Sequence, residues 1–323
     1  MPAPELAIII VSYNTRELTL ACLRSIQAHV GALPYELVVV DNASVDGSVD
    51  AVRREFPQAR VQEEQENLGF GRANNAGVAA STAPWLMFLN SDAQLRSDTA
   101  GALVAFLQAR PDAAAVGPQV LLPDGAPQPK TCGHLPGLRR VFNQTLLLSR
   151  LFPRSRFFAG VFTEHVAEPD MEVGWISGVC MVLRREAFAQ VGGFDPEYFL
   201  YAEDLDLCRR LRGKGWTIHR LQAHAITHVC GASTRSPEAM LRHHVLHQRN
   251  YLRLLRAHNG PCGYACACGL LAAGLAVRVL LRGLGSLLRR QGEREAAAAA
   301  WQCLRDLLVP GGALPGENHA HRD

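Results

Sequence analysis

Two acidic segments, one histidine and one glycine-rich stretch carry the side chains best suited to chemistry. Asn90-Ser91-Asp92 follows the apolar run Trp85-Leu86-Met87-Phe88-Leu89. A short acidic motif after a strand can hold a divalent cation through carboxylate oxygen, and such a cation would bridge two phosphates and neutralise a departing diphosphate. The same aspartate could simply cap a helix. Glu203-Asp204-Leu205-Asp206 follows the aromatic segment Tyr198-Phe199-Leu200-Tyr201-Ala202. One of these carboxylates could deprotonate a hydroxyl, its pKa raised by crowding and by the neighbouring rings. The plainer reading is acids placed in a first helical turn, where the dipole favours them. His228 could offer a neutral imidazole to a metal, although it is one of 12 histidines. From Asn67 to Asn75 the glycines let the backbone approach a ligand, and Arg72 can meet a phosphate. The Gly-x-Gly there does not follow the first strand and lacks a third glycine, which argues against a dinucleotide loop.

These groups need elements to hold them. Residues 6–11 form a continuous apolar run ending at Ser12-Tyr13-Asn14, which reads as a buried parallel strand opening onto a loop. Residues 15–28 have helical spacing. Strand 36–40 ends at Asp41-Asn42, helix 48–56 stops at Pro57, a short strand covers 60–62, and strand 85–89 ends at Asn90. This alternation implies a doubly wound α/β sheet, in which ligands bind at the carboxyl ends of strands. Asp41 and Asp92 both fall at such ends. Further on, a helix over 97–110, a strand over 116–122, an irregular stretch over 125–169, a strand pair within 172–183, a short helix over 185–191, a helix over 203–214 and a strand over 216–221 are expected, with a loop running through His228.

The chain of 323 residues, 48% hydrophobic and 20% charged, can bury a sizeable core, and its net charge of +3 is too small to point to nucleic acid. The nine cysteines show no zinc spacing and read as free thiols of a reducing compartment. Without a basic segment ahead of its first apolar run, the N-terminus reads as a strand and not a signal peptide, so the catalytic part is expected in the cytoplasm.

The ordered set Ile10-Val11-Ser12-Tyr13-Asn14, Val39-Val40-Asp41-Asn42-Ala43-Ser44, Glu66 through Asn75, Phe88 through Asp92, Trp175-Ile176-Ser177-Gly178, Gly192-Gly193-Phe194-Asp195, Phe199 through Leu207, and His228 with Ser233 resembles family 2 glycosyltransferases of the GT-A fold, especially their rhamnosyltransferase-like branch. The resemblance covers residues 6–234. It implies a nucleotide pocket at Ser12, Tyr13, Asn14 and Asp41, and donor contacts from Asn67, Arg72, Asn75, Asn90 and Ser91. It implies Mg²⁺ or Mn²⁺ on Asp92 and His228, with Asn90 where the family's metal motif has its first acid. Asp204 matches the catalytic base with Glu203 beside it, and Trp175 and Gly178 match the acceptor side. The implied reaction is inverting transfer from a nucleotide-diphosphate sugar to a glycan or lipid-linked acceptor, in cell-envelope polysaccharide synthesis. dTDP-rhamnose leads as donor. UDP-galactofuranose, UDP-N-acetylglucosamine and a non-catalytic nucleotide-sugar-binding module remain as alternatives. A nucleotidyltransferase would want a glycine-rich basic signature after the first strand, where this chain has Ser12-Tyr13-Asn14-Thr15.

Composition shifts to Leu, Ala, Arg and His after Pro237, dividing a catalytic domain, 1–237, from a helical basic-apolar region, 238–323. The uncharged stretch 261–277 is short for a membrane span. Two readings stay open: an amphipathic helix lying at the inner face of the cytoplasmic membrane, or a packed helical subdomain.

Overall fold

A computed structural model describes residues 3–152, 155–162, 170–229 and 237–287. Ser233 and the residues after 287, with Arg289, Arg290 and the alanine run, lie outside the described residues. The chain divides into two compact units, Met1–Leu135 with Val161–Arg235, and Pro136–Gly160 with Ser236–Asp323. The segment 136–160, grouped by its position in the sequence with domain 1–237, therefore belongs with the C-terminal helix.

In the first unit, β1 (Leu6–Ser12), α1 (Arg16–His29), β2 (Tyr35–Asp41), α2 (Ser48–Glu55), β3 (Arg60–Glu63), α3 (Gly69–Ala79) and β4 (Trp85–Leu89) follow the expected alternation. β1 pairs in parallel with β2 and β4, and β2 in parallel with β3, the strand order of one doubly wound half. The Ile and Val residues of β1 suit such a doubly covered strand. Its alternate side chains serve opposite faces. Ile8 and Ile10 join Leu20, Leu23 and Ile26 of α1 and Val52 of α2 in one core cluster. Each of these side chains contributes about 1.5–3 kcal/mol by leaving water. Ile9 and Val40 point the other way, towards α3, which comes close because Gly77 has no side chain.

The second part of the chain departs from the parallel pattern. It contains β5 (Ala93–Leu95), α4 (Thr99–Gln108), β6 (Ala113–Leu121) and β7 (Cys132–Gly133), and in the other unit α5 (Leu138–Thr145) and α6 (Leu148–Leu151). Then come β8 (Met171–Glu172), β9 (Trp175–Ile176), β10 (Cys180–Arg184), α7 (Arg185–Gln190), α8 (Glu203–Gly213), β11 (Thr217–His228) and, in the second unit, α9 (Pro237–Leu287). The nine-stranded sheet runs β3-β2-β1-β4-β10-β6-β11-β5, with β8 beside β11, and β10 lies antiparallel between β4 and β6. β7 and β9 form a separate two-stranded sheet.

Two expectations change here. The stretch 125–169 is not uniformly irregular, since β7, α5 and α6 lie within it. His228 is not in a loop, because β11 continues to it and pairs His228 with Ala93 of β5. The interruption is a register shift between Leu221 and Ala225, where the partner strand has Pro118 and Gln119. Proline offers no N–H to a ladder, so Gln222, Ala223 and His224 bulge out there and pairing resumes at Ala225.

In the second unit Val141 of α5 packs with Leu255 and Ala267 of α9, flanked by Tyr251, Tyr264 and Leu271. α9 breaks at Gly260 (φ 66°), just before Pro261, whose ring cannot continue the helical ladder. Among the described residues no helix is long and apolar enough to cross a membrane.

Candidate active site

The ends of β1, β2 and β4 converge through their hydroxyl and amide groups. Ser12 Oγ lies 3.0 Å from Thr19 Oγ1 and 3.3 Å from Thr15 Oγ1, and Thr15 Oγ1 lies 3.0 Å from Ser91 Oγ. Ser12 and Ser91 are both buried, so they tie β1 to the loop after β4 from within. Tyr13 and Asn14 are the exposed members of the first loop. Asn14, with φ at 52°, accepts the Val45 N–H at 2.9 Å and donates its own N–H to Ser44 Oγ at 2.9 Å. Asp41 accepts the Ser44 N–H at 2.8 Å through Oδ2, while its Oδ1 is buried with no hydrogen-bond partner. An unpartnered buried carboxylate oxygen is costly unless a ligand satisfies it.

The glycine-rich stretch is built against the acidic segment. Asn67 Oδ1 accepts the Gly69 N–H at 2.9 Å, starting α3. Gly69 has φ +77°, and a Cβ there would meet the Phe199 carbonyl oxygen at 2.1 Å. Only glycine tolerates both conditions, and the next N–H, of Phe70, donates to that same oxygen at 2.8 Å. Arg72 is exposed, 3.8 Å from Glu66. Asn75, expected as a donor contact, is held by the Phe194 backbone. Its amide donates to the Phe194 carbonyl at 2.8 Å and accepts the Phe194 N–H at 3.0 Å, clamping the Gly192-Gly193 turn to α3.

Tyr201 (φ 72°) and Ala202 (φ 69°) are consecutive left-handed residues immediately before α8, a costly backbone in non-glycine residues. This turn sets Glu203 and Asp204 at the start of α8. Asp204 accepts the Gly178 N–H at 3.1 Å through Oδ2 and the Leu205 N–H at 2.8 Å through Oδ1. Burial nevertheless raises its pKa to about 6, against the lowering pull of those N–H groups. Glu203 is buried deeper, its Oε2 has no hydrogen-bond partner, and burial followed by the Asp204 charge pushes its pKa well up. Asp206 has a structural part, binding Arg210 Nε at 2.6 Å while Arg210 Nη1 donates to the Val191 and Gly193 carbonyls.

Gly178 links the acid to the strand ends. A Cβ at Gly178 would meet the Phe70 ring at 2.8 Å, so the glycine lets ring and backbone approach. Its neighbour Val179 accepts the Asn90 N–H at 3.0 Å. Asp204 is thereby joined, through two consecutive residues, to the start of Asn90-Ser91-Asp92. Trp175, expected on the acceptor side, is placed in the core. It is 2% exposed, its indole N–H faces the Val161 carbonyl at 3.4 Å, and it supports the site from the core.

Asp92 Oδ1 lies 2.9 Å from His228 Nε2. His228 Nδ1 lies 2.8 Å from Gln128 Oε1, an acceptor, which calls for a proton on Nδ1 and leaves Nε2 facing Asp92. Asn90 Nδ2, a donor, stands 3.5 Å from that Nε2. Two facing lone pairs need a proton or a cation between them. Adjacent donors about 2.1 Å from a divalent cation lie roughly 3 Å apart, so this pair fits such an ion. Among the described residues no cluster of three or more His, Cys, Asp or Glu could hold a metal. Further positions would fall to water and ligand oxygens. Gln128 is the residue that sequence reasoning missed, and a lone glutamine between two prolines gives no local signal.

A family model described as Glycosyl transferase family 2 matches residues 7–192, and one described as the N-terminal domain of galactosyltransferase matches residues 161–231. The chain is 33% identical over 239 residues to N-acetylglucosaminyl-diphospho-decaprenol L-rhamnosyltransferase of Mycobacterium tuberculosis, covering 70% of this chain and 76% of that protein. It is 40% identical over 67 residues to Rhamnosyltransferase WbbL of Escherichia coli, which is 21% of this chain and 25% of that one. Among solved structures, the mannosyltransferase PcManGT from Pyrobaculum calidifontis, with GDP-Man and Mn²⁺, superposes with TM-score 0.55 at 19% identity, over 96% of this chain and 88% of that one. GalNAc-T7 with UDP, GalNAc and Mn²⁺ gives 0.56 at 13% identity, over 79% and 48%. With the mixed sheet, the acid helix and the matched residues together, the chain belongs to glycosyltransferase family 2 and is a glycosyltransferase of the GT-A fold.

Proposed function

We propose that the enzyme transfers rhamnose, with inversion, from dTDP-rhamnose to a glycan or lipid-linked acceptor in cell-envelope polysaccharide synthesis, working at the cytoplasmic face of the membrane. The observation that carries the reaction class is Asp204, a carboxylate with its pKa raised to about 6 and held by two backbone N–H groups. The choice of rhamnose and of a lipid-linked acceptor is supported by the rhamnosyltransferase relative, whose name specifies that sugar and a lipid-diphosphate acceptor.

In this reading Asp204 accepts the proton of an acceptor hydroxyl as its oxygen bonds to the anomeric carbon. The bond from that carbon to the donor's diphosphate breaks on the opposite face, and the diphosphate leaves with the electron pair. Inversion needs a single displacement and therefore one base. Burial, and then the Asp204 charge, favour the protonated form of Glu203, which opposes a second negative charge beside the base. Asp41 Oδ1 offers an acceptor to the nucleotide, and Tyr13 an exposed ring. Asp92 and His228 would hold Mg²⁺ or Mn²⁺, which when bound supplies positive charge against the diphosphate.

Binding of dTDP-rhamnose, UDP-galactose, UDP-N-acetylglucosamine and GDP-mannose, each with and without Mg²⁺ or Mn²⁺, tests this reading. Selective, metal-dependent binding of dTDP-rhamnose is expected. Preference for a UDP or GDP sugar replaces the donor, and no binding at all removes the transferase reading of the site. Asp92→Ala should weaken the metal-dependent part of donor affinity; equal affinity with and without Mg²⁺ in both proteins would rule out the metal role.

A further inference from the structure

The segment 136–160 carries a surface that transfer chemistry does not use. α5 buries Val141, Asn143 and Thr145. Leu138, Phe142 and Leu146, at i, i+4 and i+8, form an exposed stripe, and Leu151, Phe152 and Phe157 after it are exposed too, with Leu151 at 68% and Phe157 at 61%. Phe152 and Phe157 among them are joined through Phe158. Phe152 stacks on Phe158 at 4.8 Å, Phe158 meets Phe157 edge-on at 5.2 Å, and the Arg139 guanidinium lies 5.3 Å from the Phe157 ring. The backbone that presents them is fixed, because Asn143 Nδ2 donates to the Phe157 carbonyl at 2.8 Å and to the Ala159 carbonyl at 3.2 Å. Exposed phenylalanines on a pinned backbone are a presented surface, not a frayed one.

The charge on this surface has one sign. Residues 125–163 contain no Asp or Glu, while Arg139, Arg140, Arg150, Arg154 and Arg156 fall within 136–160. α9, which packs on α5, has no acid after Glu238. Phe and Leu projecting beyond a set of arginines match the boundary between acyl chains and anionic headgroups.

We propose that the face around Phe142, Leu151, Phe152 and Phe157 docks the enzyme on an anionic lipid bilayer, the rings entering the interface and Arg139, Arg150 and Arg156 meeting headgroup phosphates. The proposal gives the lipid-linked acceptor reading a membrane contact and rests on that reading only for its purpose. It also places the contact on the α5–α6 segment, where composition had pointed to the region 238–323.

The full chain is tested by co-sedimentation with phosphatidylcholine vesicles, with and without a quarter phosphatidylglycerol, at low salt and at about 0.5 M salt. Expected are partition onto the anionic vesicles, weakening with salt, and about tenfold or greater loss in Phe152→Ser/Phe157→Ser. Arg150→Ser/Arg156→Ser should lose the preference for phosphatidylglycerol. Thermal melting and dTDP-rhamnose binding should stay at wild-type level in both variants, which separates failure of docking from failure of the donor reading. Absence of wild-type partition would overturn the proposal. So would wild-type partition by the phenylalanine variant, or a dimer in sedimentation that only that variant dissolves, since a second copy of the chain would then cover the face.

Discussion

Replacing Asp204 with Asn separates its role as base from its role in structure. The carboxylate accepts one N–H on each oxygen, from Gly178 and from Leu205. Asparagine keeps one acceptor and turns an NH₂ towards the other donor, so one bond of about 1 kcal/mol is lost. The electrostatic change runs the other way. The folded-state pKa stands near 6 against an ordinary 3.8, so the folded chain holds the proton more tightly than the unfolded one. That stability is present below pH 3.8 and is lost as pH rises through about 6, which makes the ionised carboxylate at pH 7 unfavourable to folding. Asp204→Asn should therefore melt at or near the wild-type temperature while losing the base. The loss in kcat should be about 10²- to 10⁴-fold, with donor binding intact. In the wild type, a base with pKa about 6 is roughly nine-tenths ionised at pH 7 and one-tenth at pH 5. The log of kcat/KM should then fall with unit slope below about pH 6. Initial rates of sugar transfer from pH 4.5 to 8.5 measure both effects. Turnover of Asp204→Asn within a few-fold of wild type, or a wild-type profile flat down to pH 5, would refute the assignment.

Gly69→Ala should cost about 2 kcal/mol or more and abolish most activity, because a methyl group at φ +77° meets the Phe199 carbonyl and displaces the segment leading into Asp204; thermal melting and transfer rates report the two losses, and a normal melt would mean the contact is not held in solution. Gln128→Leu keeps the volume but leaves His228 Nδ1–H without this acceptor, and Mn²⁺ affinity measured by titration in the presence of donor should weaken about 10- to 100-fold. Unchanged Mn²⁺ affinity would show that another group fixes the ring.

The sequence was legible where local pattern and fold agree. β4 is Trp85–Leu89 in both readings, because five apolar residues bounded by Pro84 and Asn90 admit little else. α8 starts at Glu203 as expected, since Leu205, Cys208 and Leu211 recur at helical spacing on its buried side. β11 was cut short because the bulge at 222–224 carries polar Gln222 and His224, and its cause, Pro118, lies on another strand. Trp175 illustrates a different limit. Its indole N–H faces Val161 and its ring meets Phe162, contacts set by packing that no local pattern around Gly174-Trp175 specifies. Asn75 reaches Phe194 across 119 residues, and Gln128 reaches His228 across 100. Neither partner could be inferred from neighbours in the chain.

The discontinuous second unit sets a timetable for synthesis. Val141 emerges from the ribosome about 125 residues before Ala267, the neighbour that covers it. At about 5–20 residues per second, the inner side of α5 waits roughly 6–25 s for its partner, while strands on both sides of the insert are already pairing. During that interval both faces of the segment are uncovered, the inner one awaiting α9 and the outer one carrying Phe142 and Phe157. A nascent chain in that state is a substrate for holding chaperones, and slowing translation beyond residue 160 should lower the yield of soluble enzyme more than slowing it beyond residue 287.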